Sequence, residues 1–391
     1  LSMPTYWAAI LSLLLIAGHT LPAAKFFSEP THYLPLHTLL EFFAVAVSFM
    51  VFGLTWSLRR QSNNCHQIIL GCGFLAVALV DMAHTLSYAG MPVLVTPSGA
   101  EKAINFWLAG RYIAAITFLA VAFLKPAQWT TANSYTTLLA ALGLASITWW
   151  IGLFHAENLP RTFIPGEGLT GLKIGAEYLV AVLYGLAAIL IYRKARQEQN
   201  EEMRWLAAAA WVQGLAEMFF TLYTDVTDLF NLLGHLYKVA AYVMVYRALF
   251  SLQVRKPYLQ LDYERSQFRA LFSTIPALVW LKDPNGAFLA CNPAFERMVG
   301  AKEAEIQGKT DFDFTDRATA EFYRANDRKA VASGSHCTNE ETLKFASDGY
   351  EGIFETTKTP MYASNGQLIG VLGIAHDITE RKQLLSELET H

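Results

Sequence analysis

Two pairs of ionisable residues sit at helical spacing inside apolar stretches of the chain. His37 and Glu41 are four positions apart, and Asp81 and His84 are three apart. Each pair therefore shares one face of a helix. Two neighbouring helices would offer two imidazoles and two carboxylates to one point, a donor set that suits zinc, iron or copper. The Asp-x-x-His spacing also matches the carboxylate-x-x-His pairs that hold metals in helical bundles. His235, in a later apolar stretch, is the natural fifth donor. Tyr88, Asn105, Trp107, Arg111, Glu177, Glu217 and Lys238 fall near the same level and would support the site. A quinone is the competing ligand, because Phe42, Phe43, Trp107, Phe219 and Phe220 would suit a ring. The purely structural alternative is charge neutralisation, with Glu41 paired to Arg111 or Glu217 to Lys238. His37 and Asn105 would then be helix-end residues and Trp107 an interfacial anchor.

These residues need a membrane bundle to hold them. Hydrophobic residues make up 53% of the 391 positions and charged residues only 16%, against about 25% charged in an ordinary soluble domain. A bilayer core requires about 20 apolar residues per helix. Eight segments qualify: 4–24, 34–58, 67–89, 105–124, 133–154, 172–193, 202–224 and 231–252. The first is not a signal peptide, since no Lys or Arg precedes it and no Ala-x-Ala site follows. Arg59, Arg60, Lys125, Arg193, Lys194, Arg196, Arg204, Arg255 and Lys256 lie on one set of connections. The opposite set holds only Lys25, Lys102, Arg161 and Lys173, with Asp225 and Asp228 in its last loop. The positive-inside rule then places both termini in the cytoplasm, with the chain in the inner membrane. In that topology most intramembrane ionisable residues fall in the outer half of the helices, where their cost makes them functional-site candidates. The net charge of −3 gives no reason to expect nucleic-acid binding. Cys65, Cys72, Cys291 and Cys337 form no CxxC pair and are expected to be free thiols.

The pattern changes over 268–380, after a linker at 253–267. A short helix (267–273) leads into strands at 277–282 and 287–291, joined by the turn Asp283-Pro284-Asn285-Gly286. Short helical stretches and a longer helix (316–332) follow. Strands at 336–345, 350–360 and 367–377 end the domain, joined by Ser347-Asp348-Gly349 and Ser364-Asn365-Gly366.

Two strands, helices, then three strands is the order of a PAS domain, and local residues carry the resemblance. Trp280-Leu281-Lys282-Asp283-Pro284-Asn285-Gly286 is similar to the first PAS hairpin, and Asn292-Pro293-Ala294-Phe295 to the start of the first inner helix. Gly308-Lys309-Thr310-Asp311-Phe312-Asp313-Phe314 resembles a common mid-domain variant, and Asp377-Ile378-Thr379-Glu380-Arg381-Lys382 the exit motif. The resemblance implies an α+β fold with a five-stranded antiparallel sheet. Trp280, Asp377 and Thr379 would form a relay, with Thr379 capping the helix that leaves the sheet. The flavin-binding helix motif is replaced by Gly308-Lys309-Thr310-Asp311. His336 and His376 fall on strands, away from the helix used for haem. A PAS domain without cofactor is expected.

The membrane half has its own resemblance. His37-Thr38-Leu39-Leu40-Glu41, Asp81-Met82-Ala83-His84-Thr85-Leu86, Tyr88-Ala89-Gly90-Met91-Pro92 and Asn105-Phe106-Trp107-Leu108-Ala109-Gly110-Arg111 are similar to the third class of membrane-associated sensor domain. That family supplies the input module of histidine kinases and diguanylate cyclases, so the resemblance implies sensing without naming the stimulus.

No kinase His-box with an ATP lid occurs, nor a Gly-Gly-Asp-Glu-Phe or Glu-Ala-Leu signature. The chain opens on Leu1-Ser2-Met3 and stops within an amphipathic stretch at 381–391, with His391 a terminal residue rather than a phospho-acceptor. We expect a shortened receptor whose downstream kinase or cyclase domain is absent. Apolar residues at Leu249, Phe250, Leu252, Leu259, Leu261 and Phe268, then at Ile378, Leu384, Leu385 and Leu388, predict parallel pairing in a homodimer. A membrane metal or redox enzyme is the competing class. A transporter is disfavoured, because internal repeats and broken helices are missing.

Overall fold

The computed structural model describes residues 2–20, 27, 30–62, 64–164, 168–222 and 228–389. Lys25 and Asp225, used above for topology, and the terminal Leu1 and His391 lie outside the described residues. The chain divides into two compact units, Leu1–Tyr258 and Leu259–His391.

Among the described residues, the first unit contains eight helices of 17 to 28 residues: α1 (Met3–His19), α2 (Pro30–Ser57), α3 (Cys65–Leu86), α4 (Ala100–Phe123), α5 (Thr131–Phe154), α6 (Gly171–Gln197), α7 (Glu201–Phe220) and α8 (Leu229–Phe250). Five of them, α2 to α6, are long and apolar enough to cross a membrane by length and composition, and α1 is a shorter apolar helix. Both α7 and α8 have the length but carry more polar residues. Local chemistry sets several helix starts. Asn64, Thr130, Thr170, Asn200 and Asp228 each accept a backbone N–H from the first turn of α3, α5, α6, α7 and α8. Helix α4 begins at Ala100, five residues before the expected start, so Asn105 and Trp107 lie inside it. Helix α3 ends at Leu86, which puts Tyr88 in the following turn.

Six helices close a ring in the order α2, α3, α4, α6, α7, α8, with α8 returning to α2. Helix α5 packs outside on α3, and α1 outside on α7. The outer surface is apolar, with Leu139, Ile147 and Trp150 of α5 and Leu179, Val182 and Ile189 of α6 all exposed. An exposed apolar face of that kind marks a membrane or protein contact surface. Glycine allows the closest approaches inside the ring. A Cβ on Gly110 of α4 would lie 2.8 Å from Asp81 Oδ1 on α3. A Cβ on Gly234 of α8 would sit 2.5 Å from the Phe220 ring.

A π-helical segment, Ser251–Arg255, follows α8 and runs into α9 (Lys256–Thr274). The linker and short helix expected over 253–273 are therefore parts of one continuous helical run. No residue of α9 is buried.

The second unit has strands β1 (Leu278–Lys282), β2 (Phe288–Cys291), β3 (Cys337–Lys344), β4 (Glu351–Tyr362) and β5 (Leu368–Asp377) in one antiparallel sheet, ordered β2-β1-β5-β4-β3. Helices α10 (Pro293–Val299), α11 (Glu303–Ile306) and α12 (Arg317–Ser333) lie between β2 and β3, and α13 (Thr379–Glu389) leaves the sheet. Trp280 pairs with Gly373 across β1 and β5, and its ring fills the space a Cβ there would need. Trp280, Phe288, Phe295 and Phe354 form the core on the sheet's inner face. This is the five-stranded α+β arrangement anticipated from the turn signals.

Candidate functional site

Every helix of the ring sends a polar side chain inward. From α2 come His37 and Glu41, from α3 Asp81 and His84, and from α4 Arg111. The other half is supplied by Lys173 and Glu177 of α6, Gln213 and Glu217 of α7, and His235 and Lys238 of α8. All eleven side chains are buried. Unpaired charges could not persist there, so the pairing must be close to complete.

Two ion pairs share one lysine. Arg111 Nη2 donates to both Asp81 oxygens at 2.7 Å. Lys238 Nζ lies 2.7 Å from Glu41 Oε2 and 2.9 Å from Asp81 Oδ2. Asp81 is thus held by two cations and does not join the ligand set expected for it. The alternative pairings are also corrected, since Glu41 takes Lys238 and Arg111 takes Asp81. Glu217 is reached by Gln213 Nε2 at 3.1 Å rather than by Lys238. Lys173 and Glu177, four residues apart on α6, pair at 2.6 Å. The Trp107 ring lies 4.6 Å from both the Arg111 guanidinium and Lys238 Nζ. It is a buried cation–π partner, not an interfacial anchor. Asn105 is half-buried and accepts from Thr162 Oγ1 at 2.9 Å.

The imidazoles gather beside these pairs. The His37 ring lies 4.7 Å from that of His235, 5.5 Å from that of His84, and stacks on Tyr88 at 3.9 Å. His84 Nδ1 is 2.8 Å from the Ala103 carbonyl, and Nε2 has no hydrogen-bond partner among the described residues. Neither nitrogen of His37 has a hydrogen-bond partner among the described residues. His235 Nδ1 and Glu41 Oε1 are 2.8 Å apart but are not aligned to hydrogen-bond. Ligand atoms of His37, Glu41 and His235 lie within 4.8 Å of one another. The three histidines line a cavity of about 190 Å³, closed on other sides by Tyr88, Trp107, Phe220, Asn231 and the Lys173–Glu177 pair. Phe220 packs on both Trp107 and His235, at 4.6 and 5.0 Å between ring centres. Phe42 and Phe43 are exposed and do not line it.

Sequence reasoning missed Tyr242, whose hydroxyl is 3.5 Å from Asp81, and Tyr184, which donates to the Arg111 carbonyl at 3.3 Å. The spacing of Tyr242, four residues after Lys238, was the available signal.

In the second unit Trp280 packs on Phe295 with ring centres 5.0 Å apart. At the exit Asp377, not Thr379, serves the start of α13. Its carboxylate accepts the Thr379 N–H at 2.9 Å and the Thr379 hydroxyl at 2.6 Å. Thr379 Oγ1 in turn accepts the Ile353 N–H at 2.9 Å, so it ties the helix to β4. A buried network not anticipated from sequence lies inside this unit. Lys282 meets Asp311 at 2.6 Å and Asp327 at 3.2 Å, and Lys358 meets Asp327 at 2.8 Å. Burial alone would push the Asp327 carboxyl up, but Lys282 and Lys358 outweigh it and hold the group below the ordinary carboxylate range.

Comparison with known proteins places these geometries. Residues 28–257 match a membrane-associated sensor domain, MASE3, and residues 272–383 match the PAS fold. The chain is 30% identical over 129 residues to the methanogenesis regulatory histidine kinase FilI of Methanothrix harundinacea, covering 33% of this chain and 14% of that protein. It is 30% identical over 128 residues to the aerobic respiration control sensor ArcB of Escherichia coli, covering 33% of this chain and 16% of that protein. A diguanylate cyclase of Vibrio cholerae is 25% identical over 130 residues, covering 32% of this chain and 40% of that protein. The chain thus spans less than half the length of these relatives, and its matched domains are a sensor and a PAS fold, with no catalytic domain identified. The chain belongs to the MASE3 family of membrane-associated sensor domains, here followed by a PAS-fold domain.

Proposed function

We propose that this chain is the input half of a signalling receptor. It captures its stimulus, a metal or small ligand, in the polar chamber of the helical ring and passes the change to a downstream kinase or cyclase domain. The carrying observation is that His37, His84 and His235 border one cavity, with both nitrogens of His37 and Nε2 of His84 buried and without a hydrogen-bond partner among the described residues. Such atoms are costly to bury empty-handed. Helix α8 contributes both His235 and Lys238 and leads in sequence to α9 and the PAS domain. A shift of α8 on binding is the signal that α9, the PAS sheet and α13 relay. The exposed Leu261 and Phe268, seven residues apart on one face of α9, and Leu384 and Leu388 on α13 pair two copies so that both relay helices act together. The Arg-rich connections support a topology with the termini in the cytoplasm and the chamber in the outer half of the inner membrane.

The test is the parent receptor's output in cells. Single His37→Ala and His235→Ala variants that insert and fold should fix the output at one level whatever the stimulus. An unaltered response in both would refute the chamber as the input site. Labelling of Arg196→Cys by an impermeant reagent in intact cells would overturn the orientation.

A ring-headed molecule such as a quinone is the second reading, favoured by the aromatic walls formed by Tyr88, Trp107 and Phe220. In that case quinone depletion, rather than metal removal, would change the output.

A further inference from the structure

We infer that Glu41 is contested by two cations, a divalent transition metal bound by His37, Glu41 and His235, and the Lys238 ammonium. The inference deepens the chamber reading above and rests on it only for its signalling consequence. His37 is wholly buried, and neither ring nitrogen has a hydrogen-bond partner among the described residues. Glu41 Oε1 and His235 Nδ1 sit 2.8 Å apart without hydrogen-bond alignment. Two such atoms beside each other resemble one edge of a coordination shell, where bonds of about 2.0–2.2 Å set donor–donor edges of about 3.3 Å. Three protein donors leave one position, and the adjoining cavity supplies room for it. His84 lines that cavity, and its Nε2 also has no hydrogen-bond partner among the described residues. The second oxygen of Glu41 is held by Lys238 at 2.7 Å.

Charge then makes the two cations antagonists. Glu41 and Asp81 are balanced by Arg111 and Lys238, all buried. A divalent ion beside Glu41 would share that carboxylate with Lys238 and repel it across a low-dielectric gap. Lys238 has somewhere to go, because Asp81 Oδ2 is 2.9 Å away. Metal entry therefore converts Lys238 from a bridge between α2 and α3 into a partner of α3 alone. His235 and Lys238 are three residues apart on one face of α8. One is drawn toward the ion and the other driven from it, so the ion acts on α8 by both.

The experiment uses the whole chain in lipid nanodiscs with Co²⁺ as the probe, whose visible absorption reports nitrogen–oxygen coordination. Equilibrium dialysis should give one Co²⁺ per wild-type chain. His37→Ala and Glu41→Gln should lose it, and His66→Ala, whose ring bonds the Leu124 carbonyl far along the sequence from the site, should keep it. Lys238→Met should bind at least tenfold tighter, because the competitor is gone, while Lys238→Arg should bind as weakly as wild type. Should Lys238→Met fail to fold, Lys238→Gln makes the same comparison. A residue of merely structural importance at 238 would give weaker binding or none. Absence of stoichiometric Co²⁺ on folded wild-type protein, or no gain in the uncharged 238 variant, overturns the inference. If Co²⁺ fails to bind but His37→Ala still fixes the receptor's output, the metal falls and the chamber reading stands. If Co²⁺ binds as described and the output ignores it, the chamber reading falls and the metal site stands.

Discussion

Lys238 and Glu41 join the last membrane helix to the second across a 2.7 Å contact in which both side chains are buried. The same lysine reaches Asp81, so one ammonium group fastens α8 to α2 and α3 at once. The bundle's tolerance of change at this point follows from who else is left charged.

Asp81→Ala removes the one carboxylate paired with Arg111 among the described residues and one of the two that meet Lys238. A buried charge left without its partner costs about 3–5 kcal/mol. A fall of that size in unfolding free energy, followed by denaturant titration in detergent, is expected. Asp81→Leu combined with Arg111→Met should recover part of it, because no uncompensated guanidinium remains.

Gly110→Ala tests the helix approach itself. The added methyl would lie 2.8 Å from Asp81 Oδ1, so the carboxylate or the helix must yield. Overpacking of this kind costs about 1–3 kcal/mol. The thermal midpoint should fall, whereas Gly143→Ala on α5, where nothing lies within 4 Å, should leave it unchanged.

In the PAS unit, Asp327 is a buried acid-sensitive group. Its folded pKa is depressed below the unfolded value of about 3.9, so its stabilisation is complete above that pH and is lost as pH falls through the folded pKa. Hydrogen exchange of the sheet amides in the intact chain should therefore accelerate below about pH 4. Asp327→Ala should weaken protection already at pH 7, by about 3–5 kcal/mol, and flatten the acid dependence.

Thr379→Ala should separate helix attachment from sheet stability. The Ile353 amide loses the hydroxyl that accepts it, and Asp377 loses one of its donors. A neutral hydrogen bond contributes about 0.5–1.5 kcal/mol. Exchange should quicken at Ile353 and in α13 while the amide of Val279, held by Asn292 at 3.0 Å, keeps its protection. Uniform loss across the sheet would show that Thr379 supports the whole fold instead.

Much of this architecture was legible before any coordinates. Helical spacing exposed His37 with Glu41 and Asp81 with His84, and turn residues exposed the PAS hairpins. The identity of each charge partner was not, because Glu41 and Lys238 are 197 positions apart and only the rotation of each helix in the ring decides which carboxylate meets which cation. Lys173 with Glu177 was readable at four-residue spacing, but Lys173 was counted among the charges of the connections. The Lys282, Asp311, Asp327 and Lys358 network was hidden for another reason. Strand alternation tells which residues face inward, but it does not reveal that an inward lysine will find two aspartates from segments between the strands.

The polarity of α7 and α8 bears on what keeps them in the bilayer. Unlike α2 to α6, neither is apolar enough by composition to be counted as crossing a membrane alone. A lysine at mid-membrane adds about 2.5–3.5 kcal/mol to the insertion of an isolated helix. Lys238 sheds that burden only where Glu41 and Asp81 already wait. The stability of α8 in the bilayer therefore depends on α2 and α3, the helices that carry Glu41 and Asp81.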